Sequence, residues 1–99
     1  MSKGYHITKI PKGVLGEWSK VEEELAEYED AKEQGSKILM AVELADVWGA
    51  IVASNESGSR MVETVAYISN EASKLGLTYV DLMKFSRITE RAFKSGARK

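Results

Sequence analysis

Two carboxylates stand where carboxylates rarely stand. From Ile38 to Ala53 the chain reads ILMAVELADVWGAIVA, and fourteen of these sixteen positions are apolar or glycine. The exceptions are Glu43 and Asp46. A helix that is apolar all round is a buried one, and an ionised carboxylate is seldom buried without a counter-ion or a metal. Residues three apart on a helix share a face. Two like charges held together in a dry site raise at least one pKa unless a cation neutralises them. The pair therefore calls for something positive, either a metal ion or a structural salt bridge to Arg87 or Arg91.

A second acidic segment, Glu22-Glu23-Glu24-Leu25-Ala26-Glu27, offers a partner set. On a helical wheel Glu24 lies roughly 80° and Glu27 roughly 140° from the centre of the apolar stripe, while Glu22 and Glu29 flank its other side at about 60–80°. The wheel alone leaves both flanks open. If the Glu24 flank faces the Glu43 helix, four carboxylates meet, and such hard oxygen donors suit Mg²⁺ or Mn²⁺. A di-iron site of the Glu-x-x-His type is excluded, because the sole histidine, His6, precedes the first helical stretch and reads as a surface or turn residue. With no cysteine in the chain, disulfides, thiolate zinc sites and thiol nucleophiles are excluded as well.

The elements that must position these groups are helices. Val14, Trp18, Val21, Leu25 and Tyr28 recur at three- and four-residue steps, which predicts a helix over about Val14–Gln34 closed by Gly35. A second helix spans about Lys37–Ala53 with Ser36 as its N-cap. The polar stretch 54–59 reads as a loop. A third helix spans about Arg60–Leu75, ended by Gly76, and a fourth about Tyr79–Lys94, opened by a capping box of Thr78 and Asp81. Residues 1–13, punctuated by Pro11 and Gly13, form an irregular lead, and 95–99 a basic tail. The expected architecture is one all-α domain over 1–99, a four-helix antiparallel bundle. At 99 residues it completes its core and its site by oligomerisation, because a chain of this length buries only about two thirds of its unfolded surface.

Charge is polarised behind a net value of −1. Residues 17–46 carry ten acids against three bases, whereas 84–99 carry six bases against Glu90. The longest charge-free run, Val47–Asn55, is nine residues, far short of a membrane span. No apolar signal core follows Met1, so a cytoplasmic setting is expected.

These residues resemble the MazG-like, all-α nucleoside triphosphate pyrophosphohydrolases. The family pattern EExxE, spacer, ExxD is matched by Glu23-Glu24-Leu25-Ala26-Glu27, fifteen residues, then Glu43-Leu44-Ala45-Asp46. The flanks Trp18–Glu22 and Val47–Ile51 are similar too, and Ile88–Arg98 is similar to short phage-encoded members, whose setting would be the host cytoplasm. Residues 54–76 depart from the shortest members. The resemblance, not the wheel, selects the Glu24 flank. It implies Mg²⁺-dependent hydrolysis of a (deoxy)nucleoside triphosphate between its α- and β-phosphates, in a homodimer or homotetramer. Glu24, Glu27, Glu43 and Asp46 match the metal ligands, and Glu23 matches the extra acid that orients or activates water. Arg91, Lys94 and Arg98 of the basic end then become candidates for gripping phosphates.

Two other classes compete. Residues 72–82 resemble a helix-turn-helix followed by bases, but a net-acidic chain is a poor binder of nucleic acid and Glu43 and Asp46 would have no role. A catalytically silent helical assembly protein is the third.

Overall fold

The computed structural model describes residues 9–78 and 80–84. Among them the chain is all-α, with three complete helices: α1 (Trp18–Gln34), α2 (Lys37–Ser54) and α3 (Ser59–Lys74). Helical backbone resumes at residues 80–84. The reciprocal capping box is present there: the Thr78 N–H donates to Asp81 Oδ2 at 2.9 Å, and the Asp81 N–H to Thr78 Oγ1 at 3.3 Å. The remainder of the expected fourth helix lies outside the described residues, as do the lead before Lys9, the basic tail and His6.

Helix α1 begins four residues later than the apolar periodicity predicts. Gly16 sits at φ 94°, in the left-handed region, so the segment before it forms a turn in which the Glu17 N–H donates to the Val14 carbonyl. Val14 and Leu15 consequently stand exposed rather than continuing the stripe. Helices α1 and α2 are joined by Gly35 and Ser36 alone. The Gly35 and Ser36 N–H groups return to the Lys32 and Ala31 carbonyls, closing α1, while Ser36 Oγ accepts the Leu39 N–H and opens α2. With so short a turn the two helices fold back as an antiparallel hairpin.

The third helix runs parallel to α1. The Arg60 guanidinium lies 4.7 Å from the centre of the Trp18 ring near the start of both helices, and the Tyr28 hydroxyl donates to Glu71 Oε1 at 2.6 Å near their ends. The core between the helices is made of Val21, Tyr28, Leu44, Val47, Ala50, Ile51, Ile68, Ala72 and Leu82. Trp18 and Trp48 pack against it half-buried. The described residues do not enclose helix α2. Its inner face is buried, but Ile38 is 79% and Val52 59% exposed. No helix among the described residues is long and apolar enough to cross a membrane.

Candidate metal centre

Helix α2 delivers Glu43 to the middle of the hairpin. The wheel position that buries Leu44 and Val47 also buries Glu43, whose exposure is 0%. Asp46, one turn on, is half-buried. Opposite them α1 presents Glu24 and Glu27. Antiparallel pairing across the two-residue turn sets residue 24 against 46 and residue 27 against 43, so the spacing of three on each helix makes two facing pairs of acids about one turn apart.

The arrangement resolves what the helical wheel leaves open. Glu24 is buried and Glu27 half-buried against α2, whereas Glu22 and Glu29 are exposed. One carboxylate oxygen from each of Glu24, Glu43 and Asp46 lies within 4.8 Å of the others, and the same holds for Glu23, Glu24 and Glu27. Glu24 is common to both groups. Oxygens this close lie within reach of one shared hard cation.

The electrostatics of the cluster are uneven. Burial raises the Glu43 carboxyl to about 9, assisted by the negative charges of Asp46, Glu27 and Glu24. Burial likewise raises Glu27 to about 8, with Glu24 the main charged contributor. Glu23 behaves oppositely. Burial works to raise it, but the Gly13 N–H and Lys20 outweigh burial and hold it below the ordinary glutamate range. Its Oε1 accepts from the Gly13 N–H at 2.9 Å and from Lys20 Nζ at 3.0 Å, and Lys12 Nζ stands 3.8 Å from Oε2. Gly13 is needed there: a Cβ would run into the Ser19 carbonyl, so only glycine lets the lead reach Glu23.

The donor set fits a hard divalent cation. It consists entirely of carboxylate oxygens, and Oε1 of Glu24 is buried and accepts no hydrogen bond. Glu24, Glu43 and Asp46 form one close group of donors, and Glu27 joins Glu24 in the other. Glu23 belongs to that second group and is also engaged by Gly13 and Lys20.

Sequence reasoning overlooked the cation already at the cluster. Lys20 Nζ bridges Glu23 Oε1 at 3.0 Å and Glu24 Oε2 at 3.1 Å. The signal was legible, since Lys20 precedes these acids by three and four residues, the spacing of helical ion pairs. It also overlooked a buried carboxylate away from the cluster. Glu71 on α3 accepts from Tyr28 and sits 3.0 Å from both Lys32 Nζ and Lys74 Nζ. The Tyr28 hydrogen bond, helped by these lysines against the effect of burial, brings Glu71 down to about 2. The neighbouring Tyr67 hydroxyl donates to Glu29. This group staples α1 to α3 and is fully satisfied.

Arg87, Arg91, Lys94 and Arg98 lie outside the described residues, so neither their expected phosphate contacts nor a salt bridge to Glu43 is placed. An apolar cleft of about 390 Å³ opens between α2 and α3, lined by Trp48, Ile51, Val52, Met61 and Val65 with Asn55 and Glu56 at its polar end. Trp48 belongs to its wall. Comparison with protein families, with curated proteins and with solved structures finds no match.

Proposed function

We propose that this chain is a metal-dependent nucleotide pyrophosphohydrolase of the MazG-like kind, splitting a (deoxy)nucleoside triphosphate into a monophosphate and pyrophosphate. The observation that carries the reading is the wholly buried Glu43 carboxyl facing Glu24, Glu27 and Asp46. Four acids converging from two helices are an unfavourable arrangement by themselves and a favourable one around a divalent cation. Mg²⁺ or Mn²⁺, when bound, neutralises phosphate charge and supplies an activated water.

The chain's own residues then divide the work. Glu24, Glu27, Glu43 and Asp46 hold the ion. Glu23, kept ionised and fixed by Gly13 and Lys20, is a weak proton acceptor but a rigid hydrogen-bond acceptor, which suits orienting a water rather than deprotonating it. Arg91, Lys94 and Arg98 supply the further positive charge that a triphosphate needs beyond the metal. A homodimer or homotetramer covers the apolar face that includes Ile38 and Val52, and the protein works in the cytoplasm.

A silent helical assembly protein is the second reading, and one observation favours it. With Glu27 raised to about 8 and Glu43 to about 9, protonation near neutral pH relieves much of the repulsion without any ion. Incubation of the full chain with a panel of nucleoside triphosphates and Mg²⁺, scored for pyrophosphate release, separates the two. The enzyme reading expects release that needs Mg²⁺ and is lost in Asp46→Asn while the helical circular dichroism persists. No release from any nucleotide, with no Mg²⁺- or Mn²⁺-induced rise in Tm, leaves the silent bundle standing.

A further inference from the structure

Lys20 stands at the cluster with no task in the proposed chemistry beyond steadying Glu23. Its position is specific. The ammonium bridges Glu23 Oε1 and Glu24 Oε2 at 3.0 and 3.1 Å, and its side chain is largely covered. Glu24 is the acid shared by both groups of close carboxylates. One of its oxygens is therefore engaged by the lysine, while the other, Oε1, is buried without a hydrogen bond. The ammonium occupies the flank of the site as a built-in monovalent cation.

A divalent ion entering between Glu24, Glu43 and Asp46 competes with that ammonium twice. It draws on the same Glu24 carboxylate, and it places two positive charges near a third. Glu23 is different, since the Gly13 N–H and Lys12 remain on it if Lys20 swings aside. Of the two contacts, which are nearly equal in length, the one to Glu24 is thus the half of the bridge that the metal opposes, because Glu24 and not Glu23 lies with Glu43 and Asp46.

We propose that Lys20 is the resident counter-cation of the carboxylate cluster, which a divalent metal displaces from Glu24, so that Lys20 sets the metal affinity of the site. In the metal-free protein it steadies the acids. In the metal-loaded protein it is held by Glu23 alone, leaving its ammonium able to turn toward an anion at the site. The inference rests on the metal-binding part of the proposed function but not on which nucleotide is hydrolysed.

The sign of one measurement decides it. Calorimetric titration of the full chain with Mn²⁺ compares wild type with Lys20→Met, which keeps the stem and removes the charge, and with Lys20→Arg, which keeps the charge. Loss of a charge-assisted contact of this kind corresponds to about a tenfold change. Lys20→Met is expected to bind Mn²⁺ about tenfold more tightly and Lys20→Arg to stay close to wild type. The Tm of metal-free Lys20→Met is expected to fall, and Mn²⁺ should raise it by more than it raises that of wild type. If Lys20→Met does not fold, Lys20→Gln takes its place in the same comparison. Mn²⁺ affinity unchanged or weakened in the neutral variant overturns the proposal while leaving the metal centre intact. Failure of wild type and both variants to bind Mn²⁺ overturns the metal centre itself, and this inference with it.

Discussion

Replacing Glu43 by Gln should make the metal-free protein more stable, and increasingly so as pH rises. In the folded chain the Glu43 carboxyl is raised to about 9 by burial and by Asp46, Glu27 and Glu24. In the unfolded chain a glutamate titrates near 4.3. The folded state therefore holds the proton over a window in which the unfolded state has released it. Stability from this group is complete below about pH 4 and declines by about 1.4 kcal/mol per pH unit up to about pH 9. Taken alone, the group would cost roughly 3–4 kcal/mol of stability by pH 7. Water entry and small rearrangements of the neighbouring acids reduce this, and about 1–2 kcal/mol is the expected gain for Glu43→Gln at pH 7. Gln cannot ionise, and its amide finds acceptors in Glu24, Glu27 and Asp46. For a domain of this size the gain corresponds to roughly 4–16 °C in Tm. The assay is thermal unfolding by circular dichroism, with a chelator present, from pH 5 to pH 8.5. The difference between variant and wild type should widen steadily across that range. Adding Mg²⁺ or Mn²⁺ should then stabilise wild type and leave the variant nearly unmoved, narrowing or reversing the order. A variant that is less stable than wild type at pH 8 without metal, or a difference that ignores pH, would refute the idea that Glu43 sits in a repulsive site awaiting a cation.

The α1–α3 staple has the opposite pH sign. Glu71 is lowered to about 2, so its contribution is present above the ordinary glutamate range and is lost as pH falls through it toward 2. Tyr28→Phe, which leaves a buried carboxylate short of one donor, should destabilise by about 1.5–3 kcal/mol in urea unfolding at pH 7. Gly13→Ala forces the lead away from Ser19 and carries its N–H out of reach of the Glu23 carboxylate; we expect a loss of about 1–3 kcal/mol, visible as a lower urea midpoint. Arg91→Ala should lower kcat/KM by about one to two powers of ten with metal-induced stabilisation retained; if it and truncation after Phe93 both leave kinetics unchanged, the phosphate grip moves to Lys9, Lys12 or Lys20. Light scattering at micromolar concentration should give a mass of at least twice 11.0 kDa, and a monomer that retains activity would remove oligomerisation from the account.

Sequence by itself determined the helices and the oddity of Glu43 and Asp46. Periodicity, Ser36, Gly35 and the Thr78–Asp81 box are local signals, and helix ends are decided within a few residues by local hydrogen bonds. Two isolated acids in an apolar helix are legible for a related reason: burial follows from the helix's own composition. Where the local reading missed, at the start of α1, the cause was also local, since Gly16 adopts a left-handed conformation that an apolar pattern running through Val14 does not reveal.

Tertiary structure decided which acids meet. Glu24 and Glu22 are nearly equivalent on the wheel of α1, and only the α1–α2 hairpin separates them, burying one flank and exposing the other. The direction of α3, the Tyr28–Glu71 staple across forty-three positions, and the reach of Gly13 back to Glu23 were equally invisible, because each depends on which faces pack after the chain has turned. The pKa values diverge for the same reason. Glu23 and Glu27 sit one turn apart on a single helix, yet one is lowered by Gly13 and Lys20 while the other is raised by burial and by Glu24. Charge type is written in the sequence, but the environment that gives each charge its chemistry is made by packing.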